Sequence, residues 1–425
     1  MKRALGTAGV VATLVGYVIG ASIFILPGSL AGSAGPAVVL AYLFAAVIAA
    51  FSCLAAGQLG AVFPNTGAGF VAVSKLLSPF AGFIGIWLML AAYIMAIVLI
   101  ALGFADYFTA LFPAFDSTMV AFAVIALFTV LNTGRIDILV SIQGILVAVF
   151  MIALVGVSTG GVVSLESANL TPFVPAGWNA VLIATVPAFF SYGGFMAVME
   201  MAGEIDNPGR TIPRGLLISF AVVVVTYIAL SLALVGMIPW QDLATTKAPV
   251  MVVAEQLFGK AGAAFTSFAM MGAAATSINA LVLVASRDIY ALAEDGILPK
   301  TVAGEGSAWR SVLVVGIFSL AGLAMGNSIT EYAVWVSSFT LVFQILVGAA
   351  LIYVPLRALG AYEVSAFKLG RVGIKLSGWG LMLISAFFLI VVVMDAFAEF
   401  AWAGAYFLVG TGLYLLRRKR QESPS

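Results

Sequence analysis

The residues best able to do chemistry in this sequence are two clusters of small residues rather than any set of nucleophiles. Gly16-Tyr-Val-Ile-Gly20-Ala21-Ser22-Ile23-Phe24 lies inside a long apolar run and is followed by Pro27-Gly28. Pro187-Ala-Phe-Phe190-Ser191-Tyr192-Gly193-Gly194-Phe195 repeats the pattern far downstream. Glycine costs about 1 kcal/mol and proline about 3 kcal/mol inside a helix, so both runs predict helices interrupted at mid-length. An interruption frees amides at one new helix end and carbonyls at the other. The amides of Ala21, Ser22 and Ile23 at such an N-terminus would hold a carboxylate. Two breaks sharing one cavity offer donors at one end and acceptors at the other.

A second constellation is Ala273-Ala-Ala-Thr276-Ser277. On a helix this spacing puts one carbonyl and two hydroxyls on a single face. With the carbonyls of Gly16 and Ile19 at the first break it makes five oxygens, the donor type that suits a hard cation such as sodium. The same hydroxyls also satisfy themselves on the preceding turn, and the sequence leaves both readings open. Glu200 is an intramembrane carboxylate and so a candidate for proton handling or gating, or else a solvated residue at a vestibule. Histidine is absent and Cys53 is the only cysteine, which excludes intramolecular disulfides, thiolate or imidazole metal sites and Ser-His-Asp catalysis. An enzyme has few groups left to work with. No Gly-x-x-x-x-Gly-Lys-[Ser/Thr] run is present, so ATP is an improbable driver.

The elements that carry these clusters follow from composition. Of 425 residues 63% are hydrophobic and 9% charged, with a mean hydropathy of +1.17, whereas a soluble domain carries roughly 25% charge. The chain reads as an all-α integral membrane protein. A net charge of +1 offers nothing to nucleic acid. Apolar runs at 7–32, 36–61, 79–107, 118–134, 138–160, 179–203, 215–238, 261–285, 310–327, 330–356, 377–395 and 398–416 predict twelve spans, each near the length of about 20 residues that a bilayer needs. The first run exceeds a signal-peptide core and is expected to remain in the protein. Segment 62–78 is too short and glycine-rich to span and is expected along the interface. With both termini cytoplasmic, seventeen of nineteen Lys and Arg fall inside, and only Lys247 and Lys260 fall outside, as the positive-inside rule requires. The basic cluster Arg417-Arg418-Lys419-Arg420 is expected to anchor on anionic membrane lipid.

Five spans separate the two breaks. The second set of five therefore enters the membrane in the opposite sense, the inverted-repeat arrangement of secondary transporters. This divides the chain into a first repeat at 1–160, a second at 179–356, two further helices at 377–416 and a basic cytoplasmic tail at 417–425. A channel would repeat its filter on identical subunits, which two antiparallel breaks in one chain do not do.

These stretches resemble the amino acid-polyamine-organocation transporters. Ile19-Gly20-Ala21-Ser22-Ile23-Phe24 resembles that family's Gly-Ser-Gly-Ile-Phe stretch, and Phe63-Pro64-Asn65-Thr66-Gly67-Ala68-Gly69 looks like its cytoplasmic loop. Most specific is Phe189-Phe190-Ser191-Tyr192-Gly193-Gly194-Phe195 followed by Gly203-Glu204-Ile205-Asp206-Asn207-Pro208-Gly209-Arg210. Ser286-Arg287-Asp288-Ile289-Tyr290-Ala291 is similar to the family's Arg-containing loop.

The resemblance implies a leucine-transporter-type fold working by alternating access. It also implies that the carbonyls of Val18, Phe190 and Gly193 face a substrate ammonium, that Phe190 covers the substrate, and that Gly20, Ser191 and Gly194 complete the site. Two departures shape the expected cargo. Met196 stands where polyamine and arginine exchangers place a glutamate, which implies neutral amino acids. The fifth span, from Asp137 to Ser158, lacks the lysine of proton-coupled relatives, while the five-oxygen spacing resembles the sodium site of sodium-coupled ones. Sodium coupling, proton coupling through a carboxylate, and exchange or export all stay open, as do the particular amino acid and the oligomeric state. The expected location is the plasma (inner) membrane.

Overall fold

The computed structural model describes residues 5–64, 68–134, 138–201, 205–303, 308–395 and 397–422. The expected loop residues Asn65-Thr66-Gly67 and the motif residues Gly203 and Glu204 lie outside that set, as do the side chains of Glu200 and of Arg418-Lys419-Arg420.

Helices account for nearly all of what is described. In chain order they are α1 (Thr7–Val18), α2 (Ser22–Ala34), α3 (Val38–Val62), α4 (Ala68–Leu76), α5 (Pro79–Leu111), α6 (Ser117–Thr133), α7 (Ile138–Val163), α8 (Gly177–Phe190) and α9 (Ala197–Met201). There follow α10 (Pro208–Met237), α11 (Trp240–Leu243), α12 (Pro249–Glu294), α13 (Trp309–Ala324), α14 (Ile329–Arg357), α15 (Leu359–Val364), α16 (Gly370–Asp395) and α17 (Phe397–Glu422). Seven helical stretches among the described residues are long and apolar enough to cross a membrane, or eight when the bent pair around residues 191–192 counts as one. Thr7–Val18, Ser117–Thr133 and Trp309–Ala324 are shorter apolar helices.

Local chemistry fixes many of the ends. Ser78 caps α5 by accepting from the Ala81 amide, Asp116 caps α6 through the Met119 amide, and Ser328 with Glu331 forms a capping box on α14, the arrangement that satisfies first-turn donors. Several helices run longer than their apolar stretches, α10 and α12 among them. The start of α10 is Pro208 rather than residue 215, because Asn207 turns the chain in the left-handed region (φ 44°) and proline presets the first helical turn. Helix α12 begins at Pro249, ahead of the span expected at 261–285. Gly259, at φ 68°, breaks it into a short arm and a long one, a backbone conformation glycine adopts at little cost.

Packing joins elements far apart in sequence. The partners of α10 include α1, α3 and α7, while α3 also packs on α8; α5 packs on α12 and α14, α12 on α7 and α6, and α13 on α5 and α6. The N-terminal end of α1 is tied to the segment after α9, where Leu5 and Ile205 form a parallel bridge and the Asp206 amide donates to the Leu5 carbonyl at 3.0 Å. At the other edge α17 is locked to α5. Trp87 donates through Nε1 to the Tyr406 carbonyl (2.9 Å), the Tyr406 hydroxyl donates to the Trp87 carbonyl (2.8 Å), and the rings stack at 4.8 Å.

Candidate substrate site

Both interruptions occur where the small residues cluster. Helix α1 ends as Ile19 leaves helical geometry (ψ 79°), with the Gly20 amide folded back on the Val18 carbonyl at 2.9 Å. Helix α2 restarts at Ser22, its first cross-turn bond running from the Phe24 amide to the Ala21 carbonyl at 3.1 Å. The Ala21, Ser22 and Ile23 amides therefore stand at a helix N-terminus, where no preceding carbonyl of the same helix is in register. All three residues are buried. Proline 27, inside α2, removes a further backbone donor and leaves the Ile23 carbonyl without its usual partner.

The second break is tighter. The Ser191 amide donates to Ala188 and the Tyr192 amide to Phe189, three residues back in each case, and Gly193–Met196 forms a 3-10 turn. The two arms bend by 46°.

The breaks meet backbone to backbone. A Cβ on Gly194 would fall 2.5 Å from the Tyr17 carbonyl oxygen and 2.7 Å from the Val18 nitrogen, whereas one on Gly193 would meet nothing within 4 Å. Gly194 is thus a close approach and Gly193 borders open space. Phe190 is half-buried and packs against both hydrophobic clusters of the molecule, the larger one around the breaks and the smaller one of α5 and α14. Van der Waals contact across that junction suits an aromatic cover.

The Val18 carbonyl, expected to face an ammonium, is already engaged. It accepts from the Gly20 amide (2.9 Å) and from the hydroxyl of Tyr227 on α10 (2.8 Å). The sequence reading did not single out Tyr227, nor Tyr42 and Tyr192, whose rings surround it. One available signal was chemical, since a tyrosine hydroxyl deep in an apolar run must find a partner.

On the α12 side, a Cβ on Gly20 would lie 3.0 Å from Ser277 Oγ. Ser277 therefore lies close to the first break. The Thr276 hydroxyl donates to the Ala273 carbonyl at 2.9 Å, with Gly272 at 3.3 Å, so it uses the preceding turn while its lone pairs remain available. Gly16 faces α7, its Cβ position 3.1 Å from Val147.

Met196 is held from behind. Its sulfur accepts from Ser52 Oγ at 3.2 Å, and Ser52 accepts from Gln344 Nε2 at 2.8 Å. No carboxylate stands at that position. Glu200 lies in α9, with its side chain outside the described residues.

Along α2, from Phe24 to Gly32, the walls touch. The Tyr107 hydroxyl donates to the Phe24 carbonyl (2.8 Å) and accepts from the Val250 amide (3.3 Å). Gly28 abuts Pro249, with a Cβ position 2.5 Å from its Cγ, Gly32 abuts Ala244 at 2.7 Å, and Gly103 abuts Ile25.

Broken, membrane-length helices meeting at one point define a multi-pass membrane transporter. The profile of the amino acid permease family matches residues 5–414, and the chain belongs to that family, within the amino acid-polyamine-organocation superfamily. It is a permease for small-molecule amino acids rather than an enzyme. Similar proteins include the branched-chain amino acid permease BcaP of Lactococcus lactis, 29% identical over 76% of this chain and 75% of that protein. The methylthioribose transporter of Bacillus subtilis is 26% identical over 73% and 72%. The chloroplastic cationic amino acid transporter 9 of Arabidopsis thaliana is 28% identical over 71% of this chain and 57% of its own length.

Proposed function

We propose that this permease carries neutral amino acids, branched aliphatic ones among them, by alternating access around the meeting point of the two breaks. The observation that carries the reading is the Gly194 contact with Tyr17 and Val18. It sets the amide end of α2 beside a second break, and Met196 beyond that break adds no negative charge for a cationic side chain. Ala21, Ser22 and Ile23 take the carboxylate; the carbonyls of Val18, Phe190 and Gly193 take the ammonium. Gly20, Ser191 and Gly194 let the backbones approach, and Phe190 covers the side chain. BcaP's name favours a branched-chain cargo over the sugar-derived or cationic cargo in the other relatives' names.

Twelve spans in two inverted repeats, 1–160 and 179–356, followed by 377–416, give this site its surroundings. Packing supports that division. Helix α1 lies on α10 as α8 lies on α3, α5 lies on α14 as α12 lies on α7, and α6 lies on α12 as α13 lies on α5, so exchanging the halves leaves these pairings unchanged. The positive-inside count supports cytoplasmic termini, and the plasma membrane is the proposed location.

Sodium is the proposed coupling ion, seated among Gly16, Ile19, Ala273, Thr276 and Ser277. The closeness of Ser277 Oγ to Gly20 supports it, and the donor set of carbonyls and hydroxyls fits a hard cation.

Thermal unfolding of the purified protein with each amino acid tests the cargo, because a ligand of the folded state raises its stability by about 2.7 kcal/mol at a hundred times Kd. Leucine, isoleucine or valine should raise Tm, whereas arginine, lysine and putrescine should not. An equal shift with arginine would overturn the neutral reading and assign the missing charge to Glu200 or another acid.

A further inference from the structure

Tyr227 stands behind the two breaks and touches both. Its hydroxyl lies 2.8 Å from the Val18 carbonyl oxygen in the first and 2.8 Å from the Ser191 carbonyl oxygen in the second. A phenol carries one proton, so the two carbonyls share a single donor. Val18 also accepts from the Gly20 amide, which leaves Ser191 with the greater need, and the proton can serve either without the ring moving.

The ring itself is fixed. Tyr192 packs against it at 5.0 Å and Tyr42 at 5.9 Å, both near edge-on, and the Tyr192 hydroxyl donates to the Tyr42 carbonyl at 3.1 Å. The hydroxyls of Ser191 and Tyr42, both buried, make no hydrogen bond among the described residues. An unmade hydrogen bond on a buried group costs about 1–3 kcal/mol. Two of them beside one shared donor mark a junction whose hydrogen bonds are incompletely satisfied in this conformation.

The proposed site meets a carboxylate with α2 amides and an ammonium with second-break carbonyls. These groups belong to helices more than a hundred and sixty residues apart. A zwitterion gains from both ends at once only if their separation is held before it arrives. We propose that Tyr227 is a positioning residue that holds this separation, joining the breaks so that they meet the two charges of one substrate together. It is fully buried and acts through Val18 and Ser191. The inference rests on the amino acid reading of the site.

Tyr227→Phe keeps the ring and removes only the hydroxyl. Binding to the full-length variant is compared for leucine and for two analogues that each retain one charge, 3-methylbutylamine and 4-methylpentanoate. Leucine should weaken about tenfold, the scale of one or two lost hydrogen bonds, while the analogues stay unchanged, so that the preference for the zwitterion shrinks. Unchanged leucine affinity overturns the proposal, and so does a parallel loss with all three ligands, which would mark a purely structural role. A second measurement needs no ligand. Amide hydrogen exchange within residues 19–24 and 191–197 should quicken in both segments of the variant, and an unaltered pattern in either overturns the coupling. Should the wild type bind none of the twenty amino acids, the functional reading fails while the exchange result still decides the role of Tyr227.

Discussion

Gly194→Ala should cut uptake about a hundredfold, the penalty for an ångström-scale misplacement in an aligned site, whereas Gly193→Ala should transport near the wild-type rate. The two neighbours differ only in what stands opposite them. A methyl on Gly194 would overlap the Tyr17 carbonyl and the Val18 nitrogen, which are backbone atoms of the other break, and a methyl on Gly193 would enter open space. Overpacking of this kind costs about 1–3 kcal/mol, small enough for the protein to fold. The size-exclusion profile and Tm should therefore change little while radiolabelled leucine uptake collapses. Normal uptake by Gly194→Ala would show that transport does not need the breaks in contact.

Removing the hydroxyls at residues 276 and 277 should abolish sodium dependence before it affects folding. Thr276→Val and Ser277→Ala delete two of five proposed oxygens with little change in volume. Ser277 on α12 faces Gly20 in the break between α1 and α2, so an ion there would join the break that binds substrate to a helix that packs on α5 and α7. Coupling between two ligands is reciprocal and typically worth about 1–3 kcal/mol. Sodium should tighten leucine binding by about tenfold in the wild type and leave the double variant unchanged, and leucine should tighten sodium by the same factor. Indifference of wild-type uptake to replacement of sodium by choline, with collapse when the pH gradient is dissipated, would remove sodium from the site. Proton coupling through Glu200 or another carboxylate would then be the better account.

The breaks were legible because glycine and proline in an apolar run carry a backbone cost that sequence alone reveals. Their positions, at Ile19–Ala21 and Ser191–Tyr192, fall inside the predicted stretches. Which glycine serves which purpose was not legible. Gly193 and Gly194 are adjacent and identical in composition, and what separates them is Tyr17, about 180 residues away in the chain. Tyr227 was hidden for the same reason, since its partners Val18 and Ser191 are distant in sequence. Nothing local in the sequence demands the positive φ of Gly259; the arm of α12 before it packs on α2, Pro249 against Gly28. Met196 was readable as an absent charge, but its anchoring through Ser52 to Gln344 joins three separate helical elements and leaves no trace in local pattern.

Under the proposed alternating access, the glycine contacts along α2 would give the protein an adjustable set point. Gly28 and Gly32 meet Pro249 and Ala244 with no room for a methyl group, and one turn away the Tyr107 hydroxyl ties the Phe24 carbonyl to the Val250 amide. In an alternating-access carrier a side chain at these glycines penalises only the form in which the joint is shut, because in the other form the walls stand apart. Each 1.4 kcal/mol or so of that penalty shifts the ratio of the two forms tenfold. A graded series at residue 28, from alanine to valine to leucine, would move the population stepwise toward the opposite face, and its far end would serve as a trap for capturing that face in isolation.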